Sequence, residues 1–133
     1  MTRTYRYQHM DKIPYIILPY ITGYTEVSPD GNCGFRVAAT YLYGDEGQWK
    51  NARIRIAQEV LTNPHIYERV YGGNILGAYT RLMGTMKPCA HQPQYWFNVP
   101  DDLYPLAALC NAIVVLFALV QCQLGYGNSC YSA

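Results

Sequence analysis

The sequence predicts one domain that mixes helices with strands, and three features carry that expectation. Apolar residues recur at helical spacing from Cys33 to a stop at Asn63-Pro64. The stretch from Ala112 to Val120 is an unbroken apolar run rich in Ile, Val and Phe, the pattern of a strand buried on both faces. Between the helical region and an Ile, Tyr and Thr-rich segment lies a polar turn, Ser28-Pro29-Asp30-Gly31-Asn32.

Taken in order, Ile13 to Val27 reads as extended or edge-strand structure, because Pro14 and Pro19 interrupt its β-forming residues. Phe35, Val37, Ala38, Ala39, Tyr41 and Leu42 cover most of a helix surface, which predicts a buried central helix from Cys33 to Gly44. A second helix from Gln48 places Trp49, Ala52, Ile56 and Val60 on one face, with the stem of Arg53 beside them, and Asn63-Pro64 ends it. His65 to Met83 predicts two short helical pieces, because Gly72-Gly73 and Gly77 weaken a single helix, and Thr85 to Gln94, which contains Pro88 and Pro93, predicts a loop. Asp101-Asp102 predicts the start of a helix over Leu103 to Cys110, with both carboxylates near its positive end and Pro105 in its first turn.

Composition narrows the function classes. At 133 residues, half of them hydrophobic, the chain can bury a core without disulfide or metal staples. A net charge of +1 with no basic stripe gives no footprint for nucleic acid. The five cysteines are odd in number and form no C-x-x-C pair, and His9, His65 and His91 do not supply metal-ligand spacing either. Reduced thiols, no metal and no cofactor are therefore expected. Met1 to Lys12 holds no apolar signal-peptide core, so the expected location is intracellular. No charged residue follows Asp102, and residues 103 to 120 meet the length of a membrane span. Pro105 and Asn111 divide that stretch, and no basic or Trp/Tyr flank marks its ends, which favours a helix followed by a strand.

Chemistry concentrates at Asp30-Gly31-Asn32-Cys33-Gly34-Phe35-Arg36, which delivers a cysteine from a tight turn to the first turn of a helix. Backbone N–H groups and the helix dipole favour a thiolate there and can stabilise an oxyanion. Together with Leu42-Tyr43-Gly44, Trp49 and Arg53, this segment resembles the ovarian-tumour (OTU) family of papain-like cysteine proteases. Tyr95-Trp96-Phe97-Asn98-Val99-Pro100-Asp101-Asp102-Leu103, then Leu106-Ala107-Ala108, Asn111 and Ile113-Val114-Val115-Leu116, resembles that family's tryptophan, helix and strand segment in the same order.

The resemblance implies an α/β (α+β) papain-like fold with a small central sheet packed between helices and the nucleophile at the N-terminus of a central helix. It assigns residues 1–24 to an N-terminal arm, 25–120 to the OTU-like domain and 121–133 to an atypical tail. It further implies hydrolysis of isopeptide or peptide bonds at the C-terminus of ubiquitin or a ubiquitin-like partner. Cys33 and Asp30 would be the catalytic pair, Cys33 as nucleophile and Asp30 shaping the turn rather than exchanging protons, with Gly31, Asn32 and the Cys33 N–H as the oxyanion hole and Arg36 structural. The family places its catalytic histidine after the strand matching Ile113 to Leu119, whereas the last histidine of this chain is His91. Two expectations follow: an enzyme that uses His91 as base, or an inactive or truncated OTU-like domain acting as a binding module or surviving as a gene remnant.

Overall fold

The computed structural model describes residues 15–21, 25–115 and 131–132. Its architecture is helical: α1 (Cys33–Tyr43), α2 (Trp49–Thr62), α3 (Pro64–Tyr67), α4 (Ile75–Met83) and α5 (Leu103–Cys110), with short 3-10 turns at Leu18–Tyr20, Glu46–Gln48 and Pro93–Tyr95. The strand pairing among the described residues is a single antiparallel match of β1 (Thr25–Glu26) with β2 (Tyr131–Ser132). The expected α/β fold with a central sheet is therefore wrong for the described residues.

The physical reason is local in each case. Pro19 enters the first turn of a 3-10 helix instead of an edge strand, since its fixed φ and missing N–H suit that position. The Ala112–Val120 run leaves α5 through Asn111 in the left-handed conformation (φ 49°). Its described part then has no regular structure, with Ile113 92% and Val115 63% exposed. Residues 116–120 lie outside the described residues, as do most of the N-terminal arm and of the tail. Among the described residues, no helix is long and apolar enough to cross a membrane.

The helices are where the periodicity puts them. Gly44 ends α1 at φ 71°, its N–H bonded to the Thr40 carbonyl at 3.0 Å. Residues of α1 are buried on one face only (Phe35, Ala38, Ala39), while Tyr41 and Tyr43 face solvent, so α1 is amphipathic rather than central. The middle position belongs to α2, which packs against α1 and α4 and also touches α5. Small residues at the contacts, Ala38, Ala39, Ala52, Ala57 and Ala78, let the helices approach closely around Phe35, Ile56, Val60 and Leu82. The Asn63-Pro64 stop holds, and Gly72 and Gly73 (φ 61° and 80°) make the break between α3 and α4.

Asp102 departs from the expected capping role. It caps no helix N–H. Its wholly buried carboxylate instead accepts both guanidinium nitrogens of Arg81 (2.7 and 2.9 Å), the Tyr71 hydroxyl (2.8 Å) and the Asn98 N–H (2.7 Å). Four donors satisfy a group that would otherwise be very costly to bury. Burial, followed by the Asp102 charge and hydrogen bond, pushes the Tyr71 hydroxyl well above its ordinary range, so it stays a donor. This cluster ties α5 to α4 and to the Trp96–Asn98 segment. Asp102→Asn should destabilise the fold by about 3 kcal/mol or more in denaturant unfolding, because it leaves the Arg81 charge without its counter-ion. A loss below about 1 kcal/mol would show that the pair is not a structural tie.

Candidate active site

The turn before α1 is built by Asp30. One carboxylate oxygen accepts the Asn32 N–H (3.1 Å) and Arg36 Nε (3.1 Å), and the other accepts Arg36 Nη2 (2.7 Å). The paired fork fixes the turn to the first turn of the helix. Burial pulls the Asp30 carboxyl upward, but the Arg36 hydrogen bond, the Asn32 N–H and the Arg36 charge outweigh it and hold the pKa below its ordinary value. Arg36 also reaches Glu46 at 3.5 Å and lies over the Trp49 ring at 5.7 Å, so its structural role stands on three contacts.

Gly31 adopts φ 84°, and a Cβ there would overlap the Cys89–Ala90 peptide. Only glycine allows that seating. The Cys89 N–H donates to the Asp30 carbonyl at 2.7 Å, and the Cys89 carbonyl accepts Trp96 Nε1–H at 2.8 Å. Gly34 has an equivalent reason: a Cβ there would strike Phe97, whose ring meets Phe35 edge-on at 5.2 Å. The two sequence blocks that carry the resemblance therefore converge on the start of α1, with the Cys89–Ala90 peptide between them.

Asn32 is fully buried. Its Nδ2 donates to the Lys87 carbonyl (3.1 Å), and its Oδ1 accepts from Arg53 (3.1 Å) and from the Cys89 thiol (3.7 Å). Its backbone N–H is already directed at Asp30. In the expected oxyanion hole, then, Asn32 is a turn-holding residue. Gly31 stands in the same turn, and Cys33 follows it at the first position of α1.

Cys33 is half-buried and disulfide-bonded in this structure, while Cys89 and Cys110 are free thiols. The reduced state expected for the cysteines thus describes Cys89 and Cys110 but not Cys33. Cys122 and Cys130 lie outside the described residues. His91 stands two residues beyond Cys89 on an exposed stretch of loop and lines an open groove with Lys87, Pro88, Gln92 and Tyr95. The structure therefore puts the His91 loop against the Cys33 turn. His65 is exposed in α3, and His9 lies outside the described residues.

Sequence reasoning missed the depth of Arg53 and the part played by Cys89. Arg53 is wholly buried rather than buried only along its stem. The available signal was its position, a charge in the middle of the apolar face of Trp49, Ala52, Ile56 and Val60. Cys89 offered no local signal, since its backbone groups and its buried thiol act on Asp30 and Asn32, far away in the chain, and on Trp96.

The Asp30 shift has a definite sign. Because the folded-state pKa lies below the ordinary 3.8, the carboxylate adds stability above about pH 4, and that stability is lost as pH falls through the folded value. Asp30→Asn should be less stable than the wild type at neutral pH, and the gap should close below pH 4. A pH-independent gap in urea unfolding would contradict this assignment.

Compared with known proteins, the chain matches no protein-family model, no curated protein and no solved structure.

Proposed function

We propose that this chain is a cysteine hydrolase of OTU type that acts at the C-terminus of ubiquitin or a ubiquitin-like protein, with Cys33 as nucleophile and His91 as base. The observation that supports the reading is the convergence of the Asp30–Arg36 and Tyr95–Leu103 segments on the helix start that presents Cys33. The proposal concerns the site and does not depend on a central sheet.

In the reduced protein, His91 takes the thiol proton and the Cys33 sulfur attacks the scissile carbonyl carbon. The oxyanion forms against the Gly31 and Cys33 N–H groups. Collapse of the tetrahedral adduct expels the amine, which receives the proton from His91, and leaves a thioester on Cys33. Water, deprotonated by His91, then releases the carboxylate and restores the thiol. Asp30 and Asn32 exchange no protons in this scheme.

A second reading, a non-catalytic binding module, draws on one specific observation: Cys33 is held in a disulfide. A ubiquitin derivative bearing a C-terminal electrophile separates the two. Labelling of Cys33 is expected after treatment with a dithiol and not before it. Cys33→Ala should abolish labelling, and His91→Ala should slow it roughly 100-fold, within the range for loss of a general base. Binding without labelling in the reduced protein would select the module. Neither binding nor labelling would overturn both readings.

A further inference from the structure

Arg53 is a buried cation held by neutral oxygens. Its guanidinium donates to the carbonyls of Leu82 (2.9 Å), Tyr95 (2.9 Å) and Arg81 (3.1 Å) and to Asn32 Oδ1 (3.1 Å), and it lies over the Phe35 ring at 4.0 Å. None of these partners is a carboxylate. Two of the carbonyls belong to the last turn of α4, where unsatisfied acceptors and the negative end of the helix dipole gather. Burial of an unpaired charge is costly, and here it lowers the guanidinium pKa to about 10, so the group remains charged at neutral pH. An apolar residue would take this donor from four oxygens, of which the Arg81 carbonyl keeps the Gly84 N–H and Asn32 Oδ1 keeps the Cys89 thiol. A lysine would offer one nitrogen where a planar fork is needed.

The one side chain in this set is Asn32, the residue immediately before Cys33. Asn32 makes no capping bond to α1, because its oxygen is committed to Arg53 and Cys89 and its amide to Lys87. The Arg53–Asn32 contact thus runs from the core of α2 to the backbone that aims the Cys33 thiol.

We propose that Arg53 is a positioning residue for Cys33: through Asn32 it locks the start of α1 and keeps that end of the helix positive, which sustains the reactivity of the Cys33 thiol. The inference rests on the reading of Cys33 as a nucleophile. Its test uses no ubiquitin, so it fails separately from that reading.

The test is the pH profile of iodoacetamide capture at Cys33, read by peptide mass spectrometry in the reduced full-length chain, with Cys110 as internal reference. Asn32→Ala cuts the link while leaving Arg53 its three backbone acceptors. It should raise the Cys33 midpoint by about 0.5 pH unit or more and leave the Cys110 profile in place, an effect of the size expected for a charge at a helix end. Arg53→Lys, which keeps the charge and loses the fork, should give a shift in the same direction, and the double variant should shift no further than the larger single one. An unchanged Cys33 midpoint in folded Asn32→Ala, or additive shifts, would overturn the proposal, because a purely structural residue would lower stability without moving the thiol. A measurement on the wild type decides the matter even if a variant does not fold. The Asn32 amide should exchange its hydrogen as slowly as the core amides of α2, and fast exchange typical of a surface turn would refute the lock.

Discussion

A guanidinium buried without a carboxylate partner needs acceptors for its N–H groups, and Arg53, which donates four hydrogen bonds to neutral oxygens, is the constraint to which the rest of this structure is fitted. Its acceptors come from α4, from the segment before Trp96 and from the turn before α1, three pieces far apart in the chain. Moving any one of them would strand a donor inside the core. The same group fills space against Phe35, so packing and hydrogen bonding select one arrangement.

Around that centre the helices divide the work. The α2 face built on Ala52, Ile56 and Val60 supplies the apolar contact, while the second buried ion system, Asp102 with Arg81 and Tyr71, fixes α5 and the Trp96–Asn98 strip. Arg81 joins the two systems, since its carbonyl accepts from Arg53 and its side chain binds Asp102. Polar groups buried and satisfied in this way specify position more sharply than apolar packing alone. The turn presenting Cys33 gains its rigidity from being the point where this network reaches the surface.

Helix positions were legible because their signals are local. The apolar spacing of α2, the glycine at the end of α1, the Gly72-Gly73 break and the helix from Leu103 each depend on residues within a few positions of one another. The expected sheet was not, because β-branched composition records a preference that pairing partners must complete, and Ile113 and Val115 find none among the described residues. The turn before α1 was legible as one that delivers a cysteine to a helix start. What holds it was not: Asn32 looked like an oxyanion donor and Asp102 like a cap, because their true partners, Arg53, Lys87 and Arg81, lie 21, 55 and 21 residues away. The closeness of the His91 loop to the Cys33 turn likewise rests on contacts between residues far apart in the chain, the Cys89 N–H on the Asp30 carbonyl and the Asn32 amide on the Lys87 carbonyl.

The functional account requires that freeing Cys33 from its disulfide lets a thiol and an imidazole meet. A crystal structure of the reduced chain tests this most directly. The account predicts a Cys33 sulfur within about 4 Å of a His91 ring nitrogen, the range in which a nucleophile and its base exchange a proton. A separation well beyond that, with α1 and the Asp30–Asn32 turn in place, would contradict the assignment of His91 and leave Cys33 without a base.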